Sequence, residues 1–181
     1  MTRHFGVLIP STNTTVEMEC RLLPPTYQAH VGRLMSNGGR FSPSRDEDVD
    51  YQSRLLGTAK VEMVILAQTS ASLSAEDYDD GLDTIALEGF GATDAYAIGT
   101  LGPQNARDAF ARIDRPEIEV FVVPGGNFPT MSSVASWERE FGKPVVTTNQ
   151  ASVWAMLRAF DGADRLPAFG RLLAEVPPDA S

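Results

Sequence analysis

Four short turns in the sequence gather hydroxyl, amide and glycine residues: Ser11-Thr12-Asn13, Gln68-Thr69-Ser70, Gly125-Gly126-Asn127 and Thr147-Thr148-Asn149. Each follows an apolar, strand-like run and precedes a stretch with helical spacing. Side chains of these types neither gain nor lose a proton near neutrality. What they offer is hydrogen bonding, through hydroxyls, side-chain amides and closely approached backbone N–H groups, to a carboxylate or a developing oxyanion. Where such a turn opens a helix, the unsatisfied N–H groups and the positive end of the helix dipole add to the effect without any Arg or Lys. In a parallel α/β sheet the turns after the strands all leave one edge, and ligands bind there. Any one turn of this kind is more often a helix cap. The four together point to a site for a small anion made of Ser11, Asn13, Thr69, Ser70, Gly126, Asn127, Thr148 and Asn149.

Other chemistries have less support. No Walker loop is present and no G-x-G-x-x-G follows the first strand, so nothing points to a nucleotide. A single cysteine, Cys20, makes neither an internal disulfide nor a Cys-based zinc site, and two histidines, His4 and His30, are too few for a His-rich metal centre. No cofactor and no metal are expected. Ser70 or Ser72 as a hydrolase nucleophile would need a base, yet there is no G-x-S-x-G elbow and neither histidine follows a strand. Cys20 falls near the end of the first helix and reads as a small, half-buried hydrophobe.

The elements that must carry these turns alternate in the manner of an α/β fold with a mainly parallel sheet flanked by helices. Strands are expected over 5–10, 30–35, 61–67, 95–99, 120–123 and 144–147. Helices are expected from Asn13 or Thr14 to Leu23, over 46–60, 77–90, 104–113, 132–141 and 151–160, with a short helical stretch over 166–176. Glu17 stands three residues after Thr14, as in a capping box, and Gly142 reads as the C-cap of the helix before it. The segment 36–43, rich in Gly and Ser, reads as a loop.

With 181 residues, 43% apolar and 22% charged, the chain has the size and composition of one globular domain. Its net charge of -9 repels phosphate backbones and anionic bilayers, which argues against nucleic-acid and membrane partners. The apolar runs are strand-sized, and Met1 to Phe5 moves straight into a strand, so no leader is expected and the location expected is cytoplasmic.

The stretch Gly6-Val7-Leu8-Ile9-Pro10-Ser11-Thr12-Asn13-Thr14-Thr15-Val16-Glu17 resembles the opening of the maleate cis-trans isomerase and arylmalonate decarboxylase family, within the Asp/Glu racemase superfamily. Similar too are Arg21-Leu22-Leu23-Pro24-Pro25, His30-Val31-Gly32-Arg33-Leu34, Gly142 to Ala151 with Trp154 following, and Phe169-Gly170-Arg171-Leu172-Leu173. The matches cover roughly the first seventy residues and the last sixty, an ordered set of fair specificity. The resemblance implies two pseudo-symmetric α/β lobes and a small mono- or dicarboxylate held by amides, Ser, Thr and Asn. It also implies one catalytic thiol per lobe, or a single thiol in the decarboxylases. On this view the chain is one compact α/β unit over 1–181, with lobes formed by 1–90 plus 145–181 and by 91–144.

The departures bear on the chemistry. Gln68, in Ala67-Gln68-Thr69-Ser70-Ala71-Ser72, stands where the family's first cysteine would be, and Gly125-Gly126-Asn127 replaces the second Cys-Thr-Asn turn. The catalytic positions implied by the resemblance are therefore Gln68, Ser70 and Gly125, at or next to the missing thiols. The middle of the chain is short of helix and strand segments, and Leu101-Gly102 replaces a Pro-Tyr that supplies a hydroxyl in the decarboxylases. Tyr96 and Tyr78 are candidate substitutes, although packing is the commoner role for such residues. A thiol suits proton transfer beside a carboxylate because its pKa can be tuned into the working range, whereas an amide can only donate a hydrogen bond. Two readings follow. One is a cysteine-independent isomerase or lyase, catalysing decarboxylation, elimination, hydration or rearrangement, with Glu17, Tyr78, Asp77 or a water moving the proton. The other is a non-catalytic relative that binds a carboxylate or a protein partner. Apolar surface left by the missing segments points to a homodimer.

Overall fold

Phe5 to Ile9 are buried without a break, the pattern of a strand covered on both faces and both edges. The computed structural model, which describes residues 1–35, 45–67, 83–160 and 164–175, places them in β1 (Arg3–Pro10) at the centre of a three-stranded parallel sheet. β2 (Tyr27–Leu34) pairs on one side, from Arg3 opposite Tyr27 to Pro10 opposite Leu34, and β3 (Val64–Leu66) pairs on the other. Two helices make the crossovers, α1 (Val16–Cys20) and α2 (Arg45–Thr58). Leu8, Leu34 and Leu56 form a buried cluster, with Val49 and Val61 packed against it. Each such leucine contributes about 1.5–3 kcal/mol relative to exposure. This first compact unit is Met1–Gln68.

The second unit, Thr69–Ser181, contains α3 (Ala95–Ile98), α4 (Pro103–Ile113), β4 (Phe121–Val123), α5 (Val134–Phe141), β5 (Val145–Thr147) and α6 (Thr148–Ala159). A 3₁₀ turn (Pro167–Phe169) and α7 (Arg171–Ala174) follow. β4 and β5 pair in parallel, Val122 opposite Val146. The core is aromatic: Phe110 stacks on Phe121 with centroids 4.5 Å apart and meets Trp137 and Phe141 edge-on at 5.5 and 5.7 Å.

Parallel strands flanked by helices are as expected; several boundaries are not. The expected strand over 95–99 is α3, because Asp94, itself extended, accepts the Ala97 N–H on its carboxylate at 2.8 Å and caps a helical turn. A four-residue apolar run does not distinguish the two states. Of the helix expected over 77–90, residues 77–82 lie outside the described residues, and 83–90 form neither helix nor strand. Arg115 donates to the Ile85 carbonyl at 2.7 Å and Arg112 pairs with Glu88 at 2.9 Å, so side chains of and just after α4 hold this irregular segment. α1 starts only at Val16, with Thr15 at its N-cap, and Asn13 Oδ1 accepts the N–H groups of Thr15 and Val16 in the turn before it. Grouping 145–181 with 1–90 also differs from the structure. β5 pairs with β4, the strand one helix before it, as consecutive strands most readily do. Residues 145–181 therefore sit in the second unit, and the first ends at Gln68.

Candidate functional site

In the second unit two of the four polar turns meet. β4 and β5 are parallel neighbours, so their C-terminal turns emerge side by side. The Gly125 N–H donates to Thr148 Oγ1 at 3.0 Å, and Asn149 Nδ2 donates to the Gly126 carbonyl at 3.1 Å. Asn127 Nδ2 reaches the Ala95 carbonyl at 2.6 Å, which ties the turn to the start of α3. Beneath them Thr130 Oγ1 and Thr147 Oγ1 lie 3.0 Å apart and buried. The backbone of Gly125 has φ +115, a conformation open to glycine at little cost. Gly125 and Thr148 are half-buried, whereas Gly126, Asn127 and Asn149 are buried. The Asn127 and Asn149 carboxamides thus tie the turns to α3 and to one another, and Gly125 and Thr148 are the less buried members of the group.

Thr147 and Gln150 position this face. Thr147 is the N-cap of α6: its Oγ1 accepts the Gln150 N–H, and Gln150 Oε1 accepts the Thr147 N–H, both at 3.3 Å. Gln150, fully buried, also donates through Nε2 to the Phe169 carbonyl at 2.7 Å. The sequence signal was present, since Thr-x-x-Gln before an apolar stretch is a capping box. It went unread because α6 was expected to start at Ala151.

In the first unit, Ser11 and Asn13 occupy the turn after β1. Asn13, 3% exposed, accepts the N–H groups of Thr15 and Val16 on Oδ1, each at 3.0 Å. Its side-chain oxygen therefore holds the backbone leading into α1. Ser11 is exposed, and its N–H donates to the Leu34 carbonyl at 2.7 Å. Arg33, on β2, holds the turn from the side: Nη1 donates to the carbonyls of Asn13 and Ser11 at 2.8 and 3.2 Å, and Nη2 to Glu17 Oε2 at 3.1 Å. Glu17, one of the groups considered for proton transfer, is thus paired with Arg33 and with Arg21, the latter at 3.5 Å. That pairing also takes it away from the capping box expected with Thr14. No sequence pattern signals Arg33, since its partners are backbone carbonyls of another strand's turn.

Gln68, Thr69 and Ser70, and with them Asp77 and Tyr78, lie outside the described residues. The structure thus brings Gly125, Gly126 and Asn127 together with Thr148 and Asn149, and Ser11 together with Asn13. Tyr96, for which packing was the commoner expectation, is 63% exposed on α3, next to the Ala95 carbonyl that Asn127 holds. Cys20 is half-buried. Burial, and then the nearby carboxylates of Glu19 and Glu17, push its thiol up to about 11. A raised thiol pKa means less thiolate at a given pH, by about a hundredfold at pH 8 for two units. Iodoacetamide should therefore alkylate Cys20 about a hundred times more slowly than a free cysteinyl peptide at that pH, with the rate still climbing above pH 9. Equal rates at pH 8 would show an ordinary, accessible thiol.

Parallel sheets flanked by helices, with small polar residues in the turns after the strands, define a parallel α/β protein. No family model matches the chain. Over 99 residues it is 25% identical to the maleate isomerase of Alcaligenes faecalis, a match covering 54% of this chain and 38% of that protein. The chain thus spans well under half the length of this curated relative.

Among solved structures, a cysteine-to-alanine variant of the Pseudomonas putida S16 maleate isomerase with maleate is similar at a TM-score of 0.71 and 20% identity, covering 96% of this chain and 98% of that one. A cysteine-to-serine variant of the Nocardia farcinica maleate cis-trans isomerase, with a covalently bound succinylcysteine intermediate, gives 0.70 and 18%, covering 96% and 99%. A glycine-to-cysteine variant of arylmalonate decarboxylase in a sulfate-associated form gives 0.72 and 18%, covering 95% and 100%. The chain has the fold of the maleate isomerases and arylmalonate decarboxylases, as its sequence resemblance implied. Among the described residues, no helix is long and apolar enough to cross a membrane.

Proposed function

We propose that this protein binds a small carboxylic or dicarboxylic acid at the turns after β4 and β5, and acts on it as an isomerase or lyase with no thiol at the two positions where the family carries one. The observation that carries the reading is the meeting of Gly125, Gly126 and Thr148 at the C-terminal ends of neighbouring parallel strands, at the N-terminus of α6. Amides and a hydroxyl placed there favour negative charge. Relatives of the same fold are isomerases and decarboxylases, and one of them was captured with maleate. In this reading Thr69 and Ser70 are further hydroxyl donors to the acid. Gln68 donates a hydrogen bond where a thiol would move a proton, and Tyr96 or a water serves as the proton carrier. Decarboxylation, elimination, hydration and rearrangement are the reactions that such orientation and oxyanion stabilisation can drive. The protein is proposed to work in the cytoplasm as a homodimer that covers the exposed Val64, Leu66 and Val122.

A second reading, a carboxylate-binding protein without catalysis, is favoured by one observation. None of residues 124–130 and 147–151 is an acid, a base or a thiol. The test is a panel of malonate, methylmalonate, phenylmalonate, maleate and malate, followed by NMR for both binding and turnover, with the mass in solution checked against the 19.6 kDa chain. Thr148→Val removes the hydroxyl that orients Gly125 and should weaken binding about tenfold, the worth of one hydrogen bond to a charged group. Binding without turnover selects the second reading. Failure of every diacid to shift the amides of Gly125, Gly126 and Asn149 would refute both.

A further inference from the structure

A second place in the molecule has the chemistry of an anion site. In the first unit a cavity of about 500 Å³ opens between α1 and β2. Glu17, Cys20 and Arg21 line it at helical spacing i, i+3, i+4, and Ala29, Val31 and Arg33 line it as alternate residues of β2. Two guanidinium groups, Arg21 and Arg33, reach this cavity beside the Glu17 carboxylate, with Glu19 next to Cys20, in a chain of net charge -9. Arg33 is held in place, by the Asn13 and Ser11 carbonyls and by Glu17. Arg21 is not held so firmly. Its side chain is 66% exposed and its contact to Glu17, at 3.5 Å, is at the limit of a hydrogen bond. An exposed pair of that kind is worth little, so the guanidinium can turn to another anion without much loss. The wall between the charges, Ala29, Val31 and the Cys20 side chain, is apolar.

We propose that this cavity binds a small organic carboxylate with an apolar body, its carboxylate on Arg21 and Arg33 and its body against Val31, Ala29 and Cys20. This place is distinct from the turns after β4 and β5 and does not depend on the function proposed for them. Because Arg33 also holds the Ser11–Asn13 turn, occupancy reaches the end of β1 through a single guanidinium.

The probe is phenylacetate, titrated into the full chain by NMR and calorimetry, with phenylacetamide as the uncharged control. Cys20 is the chain's single cysteine, so its alkylation rate, followed by mass spectrometry, reads occupancy directly. Phenylacetate should bind saturably, shift the amides of Arg21 and Val31, and slow alkylation of Cys20. Arg21→Gln, a surface change that leaves the fold intact, should weaken binding about tenfold or more. The proposal is overturned if saturating phenylacetate leaves the Cys20 rate unchanged, if Arg21→Gln binds like the parent, or if phenylacetamide binds equally well. Binding lost in Thr148→Val but kept in Arg21→Gln would place the anion at the β4 and β5 turns, refuting this site while supporting the other.

Discussion

Gly170→Ala should lower the stability of the second unit by about 3–5 kcal/mol, a large share of the 5–15 kcal/mol of an ordinary domain. Gly170 has φ +97, which an L side chain rarely adopts. A Cβ built there would lie 2.4 Å from Val134 Cγ1, 2.9 Å from Gln150 Nε2 and 3.1 Å from Glu138 Oε2. None of these three can give way easily. Val134 is fully buried, Gln150 is held by Thr147 and Phe169, and Glu138 is held by two backbone N–H groups. Backbone strain contributes about 1–3 kcal/mol and overpacking a similar amount. Both tryptophans, Trp137 and Trp154, belong to this unit, so their fluorescence in urea reports on it alone. With an m-value of about 2 kcal/mol/M the midpoint should fall by about 2 M. Gly142→Ala is the control: φ is +71 there, but nothing lies within 4 Å of the added Cβ, so only the conformational cost of about 1 kcal/mol applies. Equal losses in the two variants would mean that the tail is not wedged against α5 and α6.

Glu138→Ala should cost about 2–5 kcal/mol by the same measurement. Glu138 is 4% exposed on α5 and bridges two segments that are far apart in sequence. Oε1 accepts the Val145 N–H at 3.1 Å, at the start of β5, and Oε2 accepts the Arg171 N–H at 2.8 Å, at the start of α7. Removing the carboxylate leaves two donors without their acceptor, at about 1–3 kcal/mol each, and opens a void beside Val134. Glu138→Gln keeps one acceptor oxygen and turns an NH₂ toward the other donor, so about half the loss is expected. Hydrogen exchange separates this from a general loosening. Val145 and Arg171 amides should lose protection first, while Phe110 and its neighbours in α4 keep theirs. If the alanine variant unfolds within 1 kcal/mol of the parent, the bridge contributes nothing. Because β5 leads directly into Thr147 and Thr148, both variants should also weaken diacid binding at the candidate site.

The two substitutions show why the tail motif Phe169-Gly170-Arg171 could be noticed in the sequence but not understood from it. Its glycine answers to atoms of α5 and α6, about twenty to thirty-five residues away in the chain, and no local pattern encodes that distance. The same holds for Arg33, whose carbonyl partners belong to the turn after another strand. By contrast β1, β4, α4 and the Gly142 cap were legible, because an unbroken apolar run, a 3.6-residue period and a left-handed glycine are properties of neighbouring residues. Reading failed where two local signals were of equal strength. The run Ala95–Ile98 is as short as a strand or a helical turn, and the Asp94 carboxylate decided it. The Asn13 side chain is drawn into its own turn, where Oδ1 accepts the N–H groups of Thr15 and Val16, a local bond that the ligand-contact reading does not include.

Composition and periodicity by themselves determined the parallel α/β class, the order of most elements, and the presence of polar, thiol-free turns after the strands. Those properties follow from side-chain alternation and from the preferences of small residues at helix starts, which act over a few positions. The tertiary structure alone decided that the turns of β4 and β5 share hydrogen bonds, that β5 joins β4 and not the first sheet, and that Arg33, Glu138 and Gln150 hold the polar turns in place. These depend on strand pairing and on buried donors finding acceptors across the chain, and both are settled only when distant segments pack.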